Sequence, residues 1–284
     1  MKKLVLTTLL LFVAGSVMGF SFNQQEKAAI IDLSGTITPT ESSGLTSVSG
    51  TTPEEVRKLN RKALNQGADA IIYEINSGGG AVVASKEIYR SINDVNIPTV
   101  CRMRDVAASG GYLLSLGCDR IVADSSTLTG SIGVKSSYIQ YAGVLDRLGA
   151  DYVNISAGER KEIGNPFMNS SEEEKQILKD KVDIIQEDFL DLVKSERNLT
   201  EENLNKVSSG EPFLGSEAEK ISLIDETGGR ASAIEEAENL TESNLRTFNV
   251  ATEPGFDFIS LLTSDLSMGN FLQFSSPFRA VIGG

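Results

Sequence analysis

The stretch Ala107–Val134, AASGGYLLSLGCDRIVADSSTLTGSIGV, decides how the rest of this chain is read. Pro98 leads into an apolar strand over Thr99–Met103, and the pattern turns helical from Ser109 to Leu116. A second strand follows at Arg120–Ala123, and the run closes on the glycine-bearing GSIGV, Gly130–Val134. A strand that turns through small residues into a helix and returns as another strand implies a right-handed crossover between parallel strands.

The same alternation extends upstream. AAIIDL (Ala28–Leu33) reads as a buried strand, and Ser34–Gly50 as a Gly/Ser-rich loop. Thr52-Pro53-Glu54-Glu55 is a capping box, with proline at the first helical position. That helix runs to about Gln66 and Gly67 ends it. Ala70–Ile75 is the next strand, and Ala81–Ile92 the next helix. Continuously apolar strands such as AIIYEI fit a sheet covered on both faces. Downstream, Asp151–Ile155 is a further strand candidate. A long helix is expected from Ser171 to about Asn198, opened by acids at its positive end. Its stripe of Leu178, Val182, Ile185, Phe189 and Leu192 is a core face or a subunit contact. The fold class is therefore α/β, a mostly parallel sheet with flanking helices.

Composition removes several function classes. The 284 residues carry 39 acids against 26 bases, a formal net charge of −13. Such a surface repels phosphate backbones, so nucleic acid is not an expected partner. The chain has no histidine. That excludes Ser-His-Asp and Cys-His catalysis and argues against a zinc hydrolase, so no metal or cofactor is expected. Cys101 and Cys118 both lie in apolar stretches and read as buried free thiols, although spacing alone does not exclude a disulfide.

Lys2 and Lys3 precede an apolar run from Leu4 to Met18. This is an export signal, either cleaved near Val17-Met18-Gly19 or kept as an anchor extended by Phe20 and Phe22. At about 15 residues it is short for a spanning helix, which needs about 20. Both readings place the remainder outside the cytoplasm; a membrane location with an extracytoplasmic catalytic domain is expected. The expected organisation is a leader or anchor over 1–22, a catalytic domain over 23–245 and a peripheral segment over 246–284.

Three glycine-bearing segments follow strand ends: INSGGG (Ile75–Gly80), AASGGY (Ala107–Tyr112) and GSIGV. Sites in open α/β sheets form beyond the carboxyl ends of strands. Glycines there let backbone N–H groups approach a reacting oxygen, which an oxyanion hole requires. Ser109 opens a helix, where the dipole favours developing negative charge. Each motif alone has a plainer reading: Ser109 as a helix cap, and Gly78–Gly80 as a turn. The glycine run lacks the GK[ST] ending of a phosphate-binding loop.

Taken in order, INSGGG before a helix, AASGGYLLSLGCDRIVADSSTLTGSIGV, SAGERKEIGNPFMNSSEEE and VSSGEPFLGSEAEKISLIDETGG resemble the signal peptide peptidase A family. That family lies in the Clp-protease and crotonase-like group, and the resemblance covers about Ala28–Glu226. It implies a Clp-protease/crotonase-like fold and a serine protease in which lysine replaces histidine as base. The family serine falls on Ser109. The family lysine falls on Lys161, 161 − 109 = 52 residues later. The resemblance further implies an oxyanion hole from the N–H groups of Gly79 and Gly110, and a lysine-orienting role for Ser131. It implies hydrophobic, signal-peptide-like substrates and a homo-oligomeric ring at a membrane. One departure is visible: Gly78 stands where the family usually has proline.

A lysine with an ordinary pKa of about 10.4 must be depressed by about three pH units, roughly 4 kcal/mol, to accept a proton near neutrality. Burial away from carboxylates does this; Glu159 and Glu162 oppose it and Arg160 assists. Lys135, just after GSIGV, is the competing base. Lys161 lies beyond a further strand and helix, and short members of the family it resembles assemble into rings. The resemblance thus allows Ser109 and Lys161 to meet across a subunit boundary, with a meeting inside one chain left open. The alternatives are a catalytically inactive membrane-tethered scaffold, favoured by Gly78, and a crotonase-type acyl-CoA enzyme, disfavoured by export.

Overall fold

Strand β1 (Lys27–Ser34) forms where the apolar run expects it and is buried along most of its length. The computed structural model describes residues 25–40 and 50–251. The leader expected at 1–22, and the peripheral segment beyond 251, lie outside these. All described residues up to Val250 belong to one compact unit.

The chain continues through β2 (Thr36–Ile37) and β3 (Gly50–Thr51), which pair with each other in parallel. Helix α1 (Pro53–Asn65) starts at Thr52, whose hydroxyl accepts from the Glu55 N–H at 3.2 Å. Gly67, at φ +73°, follows its end. Then come β4 (Ala70–Ser77), α2 (Val82–Asn93), β5 (Thr99–Ala108), α3 (Gly110–Ser115), β6 (Arg120–Ala123) and β7 (Leu128–Gly130). The second half holds α4 (Ala142–Leu148), α5 (Glu172–Glu196), α6 (Glu201–Val207), β8 (Pro212–Leu214), α7 (Gly215–Lys220), β9 (Glu226–Thr227), α8 (Arg230–Thr241) and β10 (Arg246–Val250).

The main sheet runs β10-β1-β4-β5-β6-β9, parallel throughout. Period-two alternation sorts its side chains. Ala29, Ile31, Ile71, Tyr73, Cys101 and Met103 join the core shared with α1, α2 and α3. Ala28, Ile30, Ala70, Ile72 and Val100 pack with Ala233 and Ala237 of α8 on the other face. The sheet is thus covered on both sides, as its continuous apolar strands require.

Strand β5 runs five residues beyond its expected end, from Met103 to Ala108. It pairs with β6 through Val100–Met103 and with β7 through Val106–Ala108. The register against β4 shifts between Ile75 and Ser77, and the Asn76 side chain fills the gap by accepting from the Val106 N–H at 3.2 Å. The extension carries the chain to Ser109 above the sheet's carboxyl edge.

Three expectations need correction. Cys101 and Cys118 are disulfide-bonded rather than free. Backbone pairing of Asp119 N–H to Thr99 O at 3.1 Å brings their Cα atoms to 5.7 Å, within bridging range. Asp151–Ile155 is not a strand; it pairs with no neighbour, and Ile155 is 95% exposed. Strand propensity needs a partner edge, which this segment lacks. Arg246–Val250, assigned from sequence to the peripheral segment, instead forms the edge strand beside β1.

The long helix forms with a full capping box, Ser171 and Glu174 exchanging both bonds. Only Phe189 and Val193 of it are buried, and Ile184 is half exposed.

Glu74, nearly buried on β4, anchors the α8 side. It accepts from Arg102 at 2.9 Å and from Arg230 at 2.7 and 2.8 Å. The Arg230 bonds, then those of Arg102, hold its carboxyl below the ordinary carboxylate value. A carboxyl depressed on folding stabilises fully above the unfolded value, near 4.5, and loses that contribution as pH falls through the lower folded one. Glu74→Gln therefore lowers stability at pH 7 by about 2–4 kcal/mol, because two guanidinium groups lose their counter-charge. It also flattens the acid side of the stability curve below about pH 4.5; thermal melts from pH 3 to 7 check both.

Candidate active site

Ser109 sits between β5 and α3 with φ +53° and ψ −119°. A residue with a Cβ in that region is strained by about 1–3 kcal/mol and persists only where its surroundings impose it. The constraints are visible. The Ser109 N–H donates to Gly130 O at 2.8 Å, and Ser109 O accepts from the Leu113 N–H at 2.9 Å. The Ser109 side chain makes no cap bond to its own helix. The helix-cap reading of this serine therefore fails, and the hydroxyl is left for the cleft.

The glycine loop closes over the serine. Gly79 has φ +96°, and a Cβ built there would lie 2.7 Å from Gly110 N and 3.1 Å from Ser109 Cβ. Gly110 is equally confined, since its Cβ would meet Ser85 Oγ at 2.4 Å. The two segments thus approach at backbone contact, with the Gly110 N–H at the first helical position, where no intrahelical acceptor exists. The Gly79 N–H donates to Ser77 Oγ at 3.1 Å. Gly78 differs from both. Nothing lies within 4 Å of its added Cβ, and its φ is outside the left-handed region.

Ser109 opens onto a cleft of about 660 Å³ shared with Gly79, Ser131, Gly133, Lys135 and Gln186. A recess of about 20 Å³ continues from it, lined by Lys86 and by apolar Val82, Leu113, Ile185 and Phe189. Ser131 sits at φ +48° and donates its N–H to Glu211 O at 3.1 Å. Lys86 is paired with Asp188 at 3.1 Å.

Lys161 is elsewhere. It is exposed, it is not among the residues lining the cleft, and its N–H closes a turn on Gly158 O at 3.1 Å. The segment around it is held by a small aromatic group, with Phe167 against Tyr152 at 5.3 Å and Tyr141 at 5.9 Å between ring centres. Within one chain, then, the structure brings together Ser109, Gly79, Gly110, Ser131 and Lys135, and leaves Lys161 on the surface. Sequence reading missed Gln186, a polar residue just outside the expected apolar stripe. Its signal was weak, a glutamine beside that stripe on a helix otherwise rich in charge. Among the described residues no group of acids or cysteines converges as a metal site.

The fold and the site define an α/β protein, a mostly parallel sheet with flanking helices, with its serine on a strained strand-to-helix elbow. The chain belongs to peptidase family S49, which residues 91–244 match. It is 33% identical to a Methanocaldococcus jannaschii protein named for protease activity, over 60% of this chain and 55% of that one. It is 28% identical to Protease 4 of Haemophilus influenzae, over 87% of this chain and 41% of that one. The chain spans about half the length of the curated relatives it matches. In fold it is similar to a membrane-bound stomatin-specific protease, with a TM-score of 0.55 and 18% identity, covering 85% of this chain and 99% of that one.

The two neighbouring glycines make a test of the elbow. Gly79→Ala costs about 2–5 kcal/mol, from left-handed strain plus a backbone clash. Gly78→Ala has room and gains about 0.4–1 kcal/mol through a stiffer unfolded chain. Paired chemical denaturation of the two variants measures the contrast.

Proposed function

We propose that this chain is a serine endopeptidase in which Ser109 is the nucleophile and Lys161 of a neighbouring copy is the general base. One observation carries the reading: Ser109 is held in a strained backbone conformation, free of any cap bond, at the rim of a cleft walled by close-packed glycines. Structure offers no stability reason for that strain.

In the proposed reaction, neutral Lys161 Nζ takes the Ser109 hydroxyl proton as Oγ attacks the scissile carbonyl carbon. The carbonyl oxygen becomes an oxyanion facing the Gly110 N–H. The Gly79 N–H, bound to Ser77 in the free chain, turns to the oxyanion, because a charged acceptor outbids a neutral hydroxyl. The C–N bond then breaks and the lysine returns the proton to the leaving amine. Water, deprotonated by the same lysine, releases the acyl group and regenerates Ser109. Ser131, on the cleft wall, orients the incoming lysine.

The base is assigned to another copy because Lys161 is exposed in its own chain and is not among the residues lining its own cleft. Its segment also presents large apolar side chains to solvent, among them Ile139, Leu148, Val153 and Ile155. Ile184 of α5, half exposed, adds to that surface. Together they fit packing against the next subunit of a homo-oligomeric ring. Burial there would remove the lysine from water, which a neutral amine requires. A second reading has one observation in its favour: Lys135 lines the cleft within the same chain and could serve as base in cis.

The substrates proposed are extended hydrophobic peptides such as residual signal peptides, since the recess beside Ser109 is apolar. The similar membrane-bound protease is known in structure as a lysine-to-alanine variant with a substrate peptide and as a serine-to-alanine variant. No described helix is long and apolar enough to cross a membrane. Tethering is proposed for residues 1–22, with the domain that follows, through Val250, outside the cytoplasm, where the Cys101–Cys118 disulfide persists. The scaffold and acyl-CoA alternatives predict a silent serine.

Wild type is expected to react with a fluorophosphonate at Ser109 and to cleave a synthetic leader peptide. Ser109→Ala and Lys161→Ala each lower kcat by about 10³-fold or more. Mixing the two inactive chains restores a measurable fraction of activity if the dyad forms between copies. Mixed oligomers that stay silent, with Lys135→Ala also dead, would move the base to Lys135.

A further inference from the structure

We infer that Gln186 is a positioning residue that holds one wall of the cleft in shape to receive a peptide backbone; this rests on the reading of Ser109 as nucleophile. Gln186 lies on α5, one turn before buried Phe189. Its carboxamide uses both ends on the segment that follows β7. Oε1 accepts from the Val134 N–H at 3.0 Å, and Nε2 donates to Ile132 O at 3.0 Å. Nε2 also donates to Ser208 O at 3.3 Å, which ties in the loop after α6.

The pattern is that of a strand partner. In an extended segment the carbonyl of one residue and the N–H of the residue two further on face the same edge. Ile132 O and Val134 N–H are such a pair, and one carboxamide satisfies both. The intervening Gly133 then turns its own N–H and C=O toward the opposite edge. Gly133 lines the cleft with Ser109, and a Cβ there would approach nothing closer than 3.6 Å. The geometry leaves Gly133 as a short ladder on which an extended substrate adds as a strand. Gln186 closes the ladder's back, so the wall cannot slip or collapse onto its own helix. A carboxamide is the side chain suited to this, having one acceptor and donors on a single planar head. No catalytic contact is assigned to it.

The test uses the full chain with Gln186→Met, which keeps length and helix preference but neither hydrogen-bond end. Gln186→Glu keeps the acceptor and loses the donor. Amide exchange at Val134 is expected to quicken about tenfold or more in Gln186→Met, because its only acceptor is gone. KM for an extended leader peptide rises about tenfold, kcat changes less, and fluorophosphonate labelling of Ser109 stays within about twofold, since a small probe needs no wall. Gln186→Glu falls between wild type and Gln186→Met at Val134. Unchanged exchange and unchanged KM in a folded Gln186→Met overturn the inference. If wild type itself neither labels nor cleaves, the nucleophile reading falls; the exchange result then still decides whether Gln186 clamps Val134, and the docking role is rejected with the nucleophile.

Discussion

The backbone of Ser109 is the constraint on which the site depends. A serine at φ +53° is kept there by a contact on each side: Gly130 O receives its N–H, and Gly79 approaches within backbone distance of Gly110. Neither contact tolerates a larger neighbour. Gly130, itself at φ +70°, has the Phe213 ring 2.8 Å from where a Cβ would stand. The elbow is therefore a property of three glycine segments meeting above one sheet edge. Strain of about 1–3 kcal/mol at one residue is offset by the packing of β4, β5 and β7 beneath it. Because cores have few intermediate arrangements, the serine is presented in one orientation rather than several.

The supports of that edge come from distant parts of the chain. The disulfide joins the strand that leads to Ser109 with the turn that follows its helix, a separation of 17 residues with the serine between. A loop of that length constrains the unfolded chain by about 3 kcal/mol. On the far side, α5 is fixed to the body by Lys86–Asp188, by Tyr89 donating to Glu196 at 2.7 Å, and by Gln186. The Tyr89 hydroxyl is pushed up to about 12, by burial first and then by its bond to Glu196, so it remains a donor across the physiological range. The buried Tyr112 hydroxyl, donating to Leu223 O at 2.9 Å, ties α3 to the chain before β9. Each bond acts on an element bordering the cleft, so the cleft is braced from several distant parts of the chain.

Much of this was legible in the residues. Periodicity located β1, β4, β6, α1, α2 and α5 within a residue or two, because the strands are continuous apolar runs and the helices carry capping residues, glycine stops or an apolar stripe. The serine and the glycine loops were legible as motifs that follow strand ends. What escaped was set by pairing between distant segments. Cys101 and Cys118 meet only because β5 lies against the turn before β6. Arg246–Val250 carries no strong strand signal and becomes one by finding the open edge of β1. Asp151–Ile155 has strand composition but no edge to join. Gln186 was invisible because its meaning lies in two backbone groups some 50 residues away (186 − 134 = 52).

The position of Lys161 turns the proposed chemistry into a question of assembly. In a single chain the segment over 151–168 is largely exposed, and its apolar side chains pack chiefly on one another through Tyr141, Tyr152 and Phe167. Beside Lys161, the Glu162 carboxyl is held low first by Asn165, which donates to it at 2.6 Å, and so stays ionised. On the proposed reading a lysine base requires two things: removal of water, and separation from that negative charge. Contact with the cleft of another copy supplies the first through the apolar surface that surrounds Lys161. It supplies the second because the residues lining the Ser109 cleft and its recess are glycines, serines, apolar groups, Gln186, Lys86 and Lys135, with no acidic side chain among them. The same surface that would be a liability on a monomer is thus, on the reading proposed, what switches the base on. On that same reading, catalytic competence and assembly become one equilibrium.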